Sequence, residues 1–265
     1  MPNWDNNPLV NETFERYERD KSSTYYKESR INRPWTTARY NDPRTGIVYD
    51  SVGYMCVVDL APFLIGDTEF FSIMTVDDDF TFALLDTCYE IASSYTAYNA
   101  KHFGIDTSDM GWESLGGDYS CVMSPALYEK YIKPYDMRRM QENKLGFINL
   151  HSCGASKHLY DVWGKYPNKD SILLMQTRGI EGRLAHLRQC LPHTLIQLTL
   201  HQPQCDFENT TAEEIDRVVR GYAEEANGEN LELVFIVVQN SESTDRNIET
   251  ACAAIDDINQ KKEMF

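Results

Sequence analysis

The residues with the most evident chemical potential are a histidine and a cysteine two positions apart, His151 and Cys153, followed by Gly154. On an extended segment such a pair points to one side, and imidazole with thiolate is a borderline-soft combination that suits zinc. The same two residues also describe a buried thiol beside a hydrogen-bonded imidazole. Gly154 lets the backbone turn sharply after them. Three further segments carry comparable groups. In Glu113-Ser114-Leu115-Gly116-Gly117-Asp118-Tyr119 two glycines allow a ligand close to the backbone and Asp118 offers an acceptor. Asp118 is therefore a catalytic candidate and Gly116, Gly117 and Tyr119 are cofactor-binding candidates, although a turn in which Asp118 caps backbone amides fits equally. Gln176-Thr177-Arg178 supplies two more catalytic candidates: Arg178 can clamp a carboxylate or phosphate with two prongs, or pair with one of the many acids. His201, Gln202, Gln204 and Cys205 add another imidazole and thiol, either of which could be structural.

Each of these segments follows a short apolar or β-prone run. Six such runs are strand candidates: 52–58, 111–115, 146–150, 171–175, 195–200 and 233–238. They alternate with helical patterns, the order that specifies parallel strands joined by helices, and in that architecture ligands gather where strands end. Thr211-Ala212-Glu213-Glu214 is a capping box, with Ile215, Val218, Val219 and Tyr222 on one face of the helix that follows. A C-terminal helix shows a similar face at Ile248, Cys252, Ile255 and Ile258, and a long helix should run from about residue 77 to 103. Ser124-Pro125 opens another helix, which Pro134 should kink. Upstream, residues 1–33 read as a surface arm or irregular helix, and residues 35–40 and 47–49 as a hairpin about a turn-rich loop. The domain division expected is a 1–50 arm and hairpin followed by a 51–265 α/β domain.

The chain has 265 residues, which one α/β barrel can accommodate. Its net charge of −16 falls wholly on residues 51–265 and disfavours a nucleic-acid partner. No apolar run approaches the ~20 residues of a membrane span. The start, Met1-Pro2-Asn3-Trp4-Asp5, lacks the features of a secretory leader, and the seven cysteines include no Cys-x-x-Cys pair, so a cytoplasmic compartment is expected.

Residues 123–135, Met-Ser-Pro-Ala-Leu-Tyr-Glu-Lys-Tyr-Ile-Lys-Pro-Tyr, and the following Phe147-Ile148-Asn149-Leu150-His151-Ser152-Cys153-Gly154 resemble the uroporphyrinogen decarboxylase superfamily. The branch they are most similar to is that of the methylcobamide:thiol methyltransferases, in which an SPxLYxxYIxPY helix precedes an HSCG strand end. The likeness extends to Ala61-Pro62-Phe63 and Gly66-Asp67-Thr68-Glu69-Phe70 upstream and to residues 209–215 downstream, covering roughly 52–260. It implies a (β/α)8 TIM-barrel-like fold, here shortened at the N-terminus to six βα units. It also implies zinc held by His151 and Cys153, a small-molecule thiol activated on that zinc, and a methyl group delivered by the methylcobamide of a partner corrinoid protein. The family's third ligand, a cysteine after the last strand, has no counterpart, since Gln239-Asn240-Ser241-Glu242 stands there. Cys205, then Cys121, then Glu181 are its candidate substitutes. The decarboxylase's own signature is absent, so a decarboxylase-type lyase is the runner-up among enzymes, and a non-catalytic binding or partner subunit is the alternative outside them. The missing strands should be covered by the hairpin at residues 34–50 or by a second protomer, giving a homodimer.

Overall fold

The computed structural model describes residues 2–20, 37–41, 48–52, 55–103, 112–142, 147–152, 154–178, 184–200, 209–226, 231–235 and 242–263. The architecture is α/β. A hairpin, β1 (Thr37–Asn41) and β2 (Val48–Val52), precedes a five-stranded sheet, β3 (Trp112–Gly116), β4 (Phe147–His151), β5 (Ile172–Arg178), β6 (Leu195–Leu200) and β7 (Leu231–Phe235), whose strands neighbour one another in chain order. Two compact units are distinguished: residues 1–117 with 126–148, and residues 118–125 with 149–265.

In the first unit, helix α1 (Pro8–Asp20) starts under an Asn7 cap, whose Oδ1 accepts from the amides of Leu9 and Val10 at 3.0 and 3.3 Å. Of the segment 1–33, expected as a surface arm or irregular helix, residues 2–20 are described, and within them the helix packs inward. Val10 and Phe14, one turn apart, are buried, and the Phe14 ring stacks on His102 at 3.7 Å. Trp4 donates to Ser94 Oγ at 3.1 Å. Both partners belong to α4 (Asp78–Phe103), the long helix expected from 77 to 103. The hairpin forms as read, Thr37 opposite Val52 and Asn41 opposite Val48, and β2 runs close to β3.

The strand expected at 52–58 is corrected. Val52 closes the hairpin, and Val57 and Val58 begin helix α2 (Val57–Ile65), both buried, with Asp59 in its first turn. An apolar run of that length suits a strand or a buried helix turn equally, and here burial on α2 decided it. Helix α3 (Asp67–Ile73) follows after Gly66. The sheet therefore has five strands among the described residues, not six. The kink expected at Pro134 takes a specific form. Helix α5 (Pro125–Leu127) passes into a π turn, Tyr128–Ile132, before α6 (Lys133–Glu142) resumes. Proline lacks an N–H and crowds the carbonyl four residues back, and widening the preceding turn relieves that clash. Tyrosines of the π turn anchor it: Tyr131 donates to the Met74 carbonyl at 2.9 Å and Tyr128 to Asp136 at 2.7 Å.

The α4 core yields a pH prediction. Burial pushes the Cys88 thiol from its usual 9.0 up to about 12 and, with the nearby Glu142 carboxylate, the Tyr89 phenol from 10.0 up to about 12. Both raised groups hold their protons in the folded state after the unfolded chain has lost them. The folded state then binds more protons, so stability falls as pH rises from about 9 to 12. Urea midpoints should drop across that window, and Cys88→Ala should flatten the drop at its onset. A midpoint flat to pH 12 in the parent protein would contradict the burial assignment.

In the second unit β5, β6 and β7 are parallel, with Gln176 opposite Gln197 and Leu198 opposite Leu233. Ile172, Met175, Ile196 and Leu198 are buried with Tyr160 and Trp163 of α7 (Tyr160–Trp163) and Leu184 and Leu187 of α8 (Leu184–Cys190). Strand β5 extends past the expected 171–175 to Arg178, and the last strand lies two residues earlier than its expected start at Leu233. Helix α9 (Ala212–Glu225) opens on Thr211, whose side chain accepts from the Glu214 amide, and buries Ile215, Val219 and Tyr222. Helix α10 (Glu242–Glu263) presents a different face from the one expected: Thr244, Asn247, Ala251 and Ala254 are buried, whereas Ile248 and Cys252 are exposed. The small residues allow close packing against α9, and Asn247 also donates to the Thr210 carbonyl at 2.8 Å. No helix among the described residues is long and apolar enough to cross a membrane.

Candidate functional site

His151 is the last residue of β4, so the strand carries its ring to the end of the sheet while keeping the backbone in the ladder. The ladder continues one residue further, with the Ser152 amide donating to the Gln176 carbonyl at 2.9 Å. Both ring nitrogens are engaged. Nδ1 lies 3.0 Å from Gln176 Oε1 and Nε2 lies 2.9 Å from Asp118 Oδ1. His151 and Asp118 retain 32% and 56% side-chain exposure, which leaves the pair open to a small molecule.

The neighbouring amides form a chain of hydrogen bonds that ends on the imidazole. Asn149 Nδ2 donates to Gln176 Oε1 at 2.9 Å, and Gln176 Nε2 donates to Gln197 Oε1 at 2.7 Å. In this arrangement Gln176 presents its oxygen to His151, and Nδ1 donates to it. Nε2 is then the lone-pair nitrogen, and it faces a carboxylate oxygen at hydrogen-bond distance. Two acceptors so placed attract a cation between them, either a second ring proton or a metal ion. A ligating histidine held through its other N–H by a polar partner is the usual outer-shell arrangement of a zinc site. The oriented imidazole nitrogen is a donor that fits zinc, and the Asp118 carboxylate lies beside it.

Asp118 reaches this position through the two glycines before it. Gly116 and Gly117 have φ of 87° and 118°, a region that β-carbons disfavour. A β-carbon on Gly117 would also lie 2.6 Å from Val58 Cγ1 and 2.7 Å from Asp59 Oδ2. The turn Asp118–Val122 then begins at once, with Tyr119 half-buried. The reading of Gly116 and Gly117 as a place for ligand approach gains a more local explanation, in which they shape the turn that presents Asp118.

The structure thus brings together Asp118, His151 and Gln176 of the candidates. Arg178 ends β5 opposite Thr199. Cys121 is half-buried, and a β-carbon on Gly154 would overlap its side chain. Cys121 does not join His151 and Asp118 in a three-donor cluster among the described residues. Cys153, Cys205, Glu181, His201, Gln202 and Gln204 lie outside the described residues. Asn149 and Gln197 were not among the candidates, yet they orient Gln176. Their signal is an amide side chain between apolar neighbours within a strand, Phe-Ile-Asn-Leu-His and Leu-Ile-Gln-Leu-Thr-Leu.

Gln176→Leu should weaken zinc binding by about 10–100-fold, the usual effect of losing an outer-shell partner. It should also cost ~1–3 kcal/mol through the stranded Asn149 and Gln197 amides. Chelator competition and urea denaturation measure the two effects, and an unchanged zinc affinity would remove Gln176 from the site.

No family model and no curated protein matches the sequence. Among solved structures, a methyltransferase from Methanosarcina mazei resembles the chain with a TM-score of 0.57 and 15% identity over 78% of its residues. The chain spans 58% of that protein's length, and the likeness is one of fold.

Proposed function

We propose that the chain is a zinc-dependent, methyltransferase-like protein of the uroporphyrinogen decarboxylase superfamily. It would transfer a methyl group from the methylcobamide of a corrinoid protein to a small-molecule thiol, and its sheet would form part of a (β/α)8-type barrel. The observation that carries this reading is the His151 ring at the end of β4, with Nδ1 held by Gln176 and Nε2 aimed at Asp118. The HSCG strand end and the methyltransferase-like fold support it.

Zinc, when bound, lowers the pKa of a thiol and holds it as the nucleophilic thiolate. His151 would hold the metal through Nε2, with Cys153 as the second ligand and Cys205, Cys121 or Glu181 as the third. Gln176 keeps the imidazole in the ligating tautomer. The reaction forms a sulfur–carbon bond, breaks the methyl–donor bond with its electron pair left on the donor, and releases one proton. Asp118, exposed and beside His151, is the group placed to accept that proton. Arg178 would orient an anionic group on the thiol.

The test incubates the zinc-loaded, reduced protein with free methylcobalamin and a small thiol and follows demethylation of the corrinoid. The reading predicts thiol-dependent demethylation that His151→Ala abolishes. A second reading, a non-catalytic partner subunit, is supported by the sequence after the last strand, where Gln239-Asn240-Ser241-Glu242 stands in place of the family's cysteine. Zinc binding without demethylation would select that reading. No zinc at His151 would reject the first at its base.

A further inference from the structure

Helix α8 carries His186 and Cys190 four residues apart, the spacing that stacks side chains on one helix face. Asp161 of α7 meets them. His186 Nε2 lies 3.0 Å from Asp161 Oδ1, and the Cys190 thiol donates to the same oxygen over 3.6 Å. One ligand atom from each of the three residues falls within 4.8 Å of the others, the one such group among the described residues. We propose that Asp161, His186 and Cys190 form a second metal site, separate from that at His151, which takes a zinc-class divalent ion on the surface of the second unit.

Three features carry the proposal. The first is the donor set, one imidazole nitrogen, one thiol sulfur and one carboxylate oxygen, the combination that suits zinc and that the hard cations calcium and magnesium do not seek. The second is spacing. With zinc bonds of ~2.0–2.1 Å to nitrogen and oxygen and ~2.3 Å to sulfur, tetrahedral geometry separates nitrogen from oxygen by about 3.4 Å and oxygen from sulfur by about 3.6 Å. The structure has 3.0 and 3.6 Å. A fourth position remains for water, since the His186 and Asp161 side chains are 39% and 68% exposed.

The third is rigidity of the supporting elements. Tyr160 and Trp163 on either side of Asp161, and Leu184 and Leu187 of α8, are fully buried. Arg188 Nη1 donates to the carbonyl of Thr194 at 2.7 Å and closes the end of α8. Gly164 lets that end approach α7, because a β-carbon there would stand 3.0 Å from Cys190 Cβ and 3.3 Å from its backbone. The three donors are thus set before any ion arrives, which reduces the ordering cost of binding.

The full-length reduced protein carrying His151→Ala isolates this site from the other one. Zinc alone is titrated against a chromophoric chelator, and cobalt(II) serves as a spectroscopic probe. The expected result is one zinc equivalent in His151→Ala, with a thiolate-to-cobalt charge-transfer band. Cys190→Ser added to it should weaken zinc at least about 100-fold, beyond the ~10–100-fold of an outer-shell loss, and abolish the band. Asp161→Asn, a milder change that keeps the side-chain shape, should weaken zinc with the circular dichroism unchanged. Absence of zinc from His151→Ala, or binding and a band that persist after Cys190→Ser, would overturn the proposal. Neither outcome bears on the His151 site, which is read separately in the Cys190→Ser single variant.

Discussion

In the Cys190→Ser background, His151→Ala should remove zinc from the reduced protein and bring thiol-dependent demethylation of methylcobalamin to the level of the protein-free control. The expected loss of zinc affinity exceeds the ~10–100-fold assigned to Gln176→Leu, since His151 is a direct donor and Gln176 only holds it. The fold should survive. His151 sits at a strand end, is one-third exposed, and contributes its side chain to a polar network and not to the packed core. Far-ultraviolet circular dichroism and the urea midpoint should therefore move little. Retention of one zinc equivalent by this double variant would place the metal elsewhere.

Gly117→Ala should be strongly destabilising for a change of one methyl group. A residue with a β-carbon at φ of 118° is strained, at about 1–3 kcal/mol, and the methyl would enter the space of Val58 and the Asp59 carboxylate, which adds roughly 1–3 kcal/mol of overpacking. A total loss of about 2–6 kcal/mol is expected from urea denaturation. Because Asp118 follows directly, demethylation should also fall in whatever fraction remains folded. Gly221→Ala is the control. Gly221 lies inside α9 with nothing within 4 Å of an added β-carbon, and replacing it should stabilise by roughly 0.5–1 kcal/mol. Equal effects at the two positions would show that backbone strain and overlap at Gly117 are not what constrain it.

The parts of the fold that could be read in advance are those where one local signal dominates. Residues 195–200 form the strand expected, the Thr211 cap opens α9, and α4 runs almost as its periodicity indicates. Where two principles compete, the reading failed. The Val57–Val58 pair satisfies a strand and a helix alike, and only burial on α2 chooses. On α10 the larger apolar residues Ile248 and Cys252 suggested the inward face, but close helix packing selects for small side chains and placed Ala251 and Ala254 there.

The proximity of three candidate residues has a different basis. His151 lies 33 residues from Asp118 and 25 from Gln176, too far for any spacing rule, yet each stands at or just after a strand, and neighbouring strands bring such positions together. What could not be read was the role of each. Asp118 reads equally as a cap or as a chemical group, its proximity to Nε2 is visible only in the structure, and the Asn149–Gln176–Gln197 chain depends on strand register that no single segment encodes.

The most direct test is the zinc X-ray absorption spectrum of the Cys190→Ser protein, loaded with one zinc equivalent, before and after a small thiol is added. The proposed chemistry predicts an imidazole nitrogen and protein sulfur around the metal in the first spectrum. It predicts one additional sulfur at ~2.3 Å in the second, with release of one proton per thiol bound. A sulfur shell that does not change on thiol addition, or a protein that holds no zinc, would contradict it.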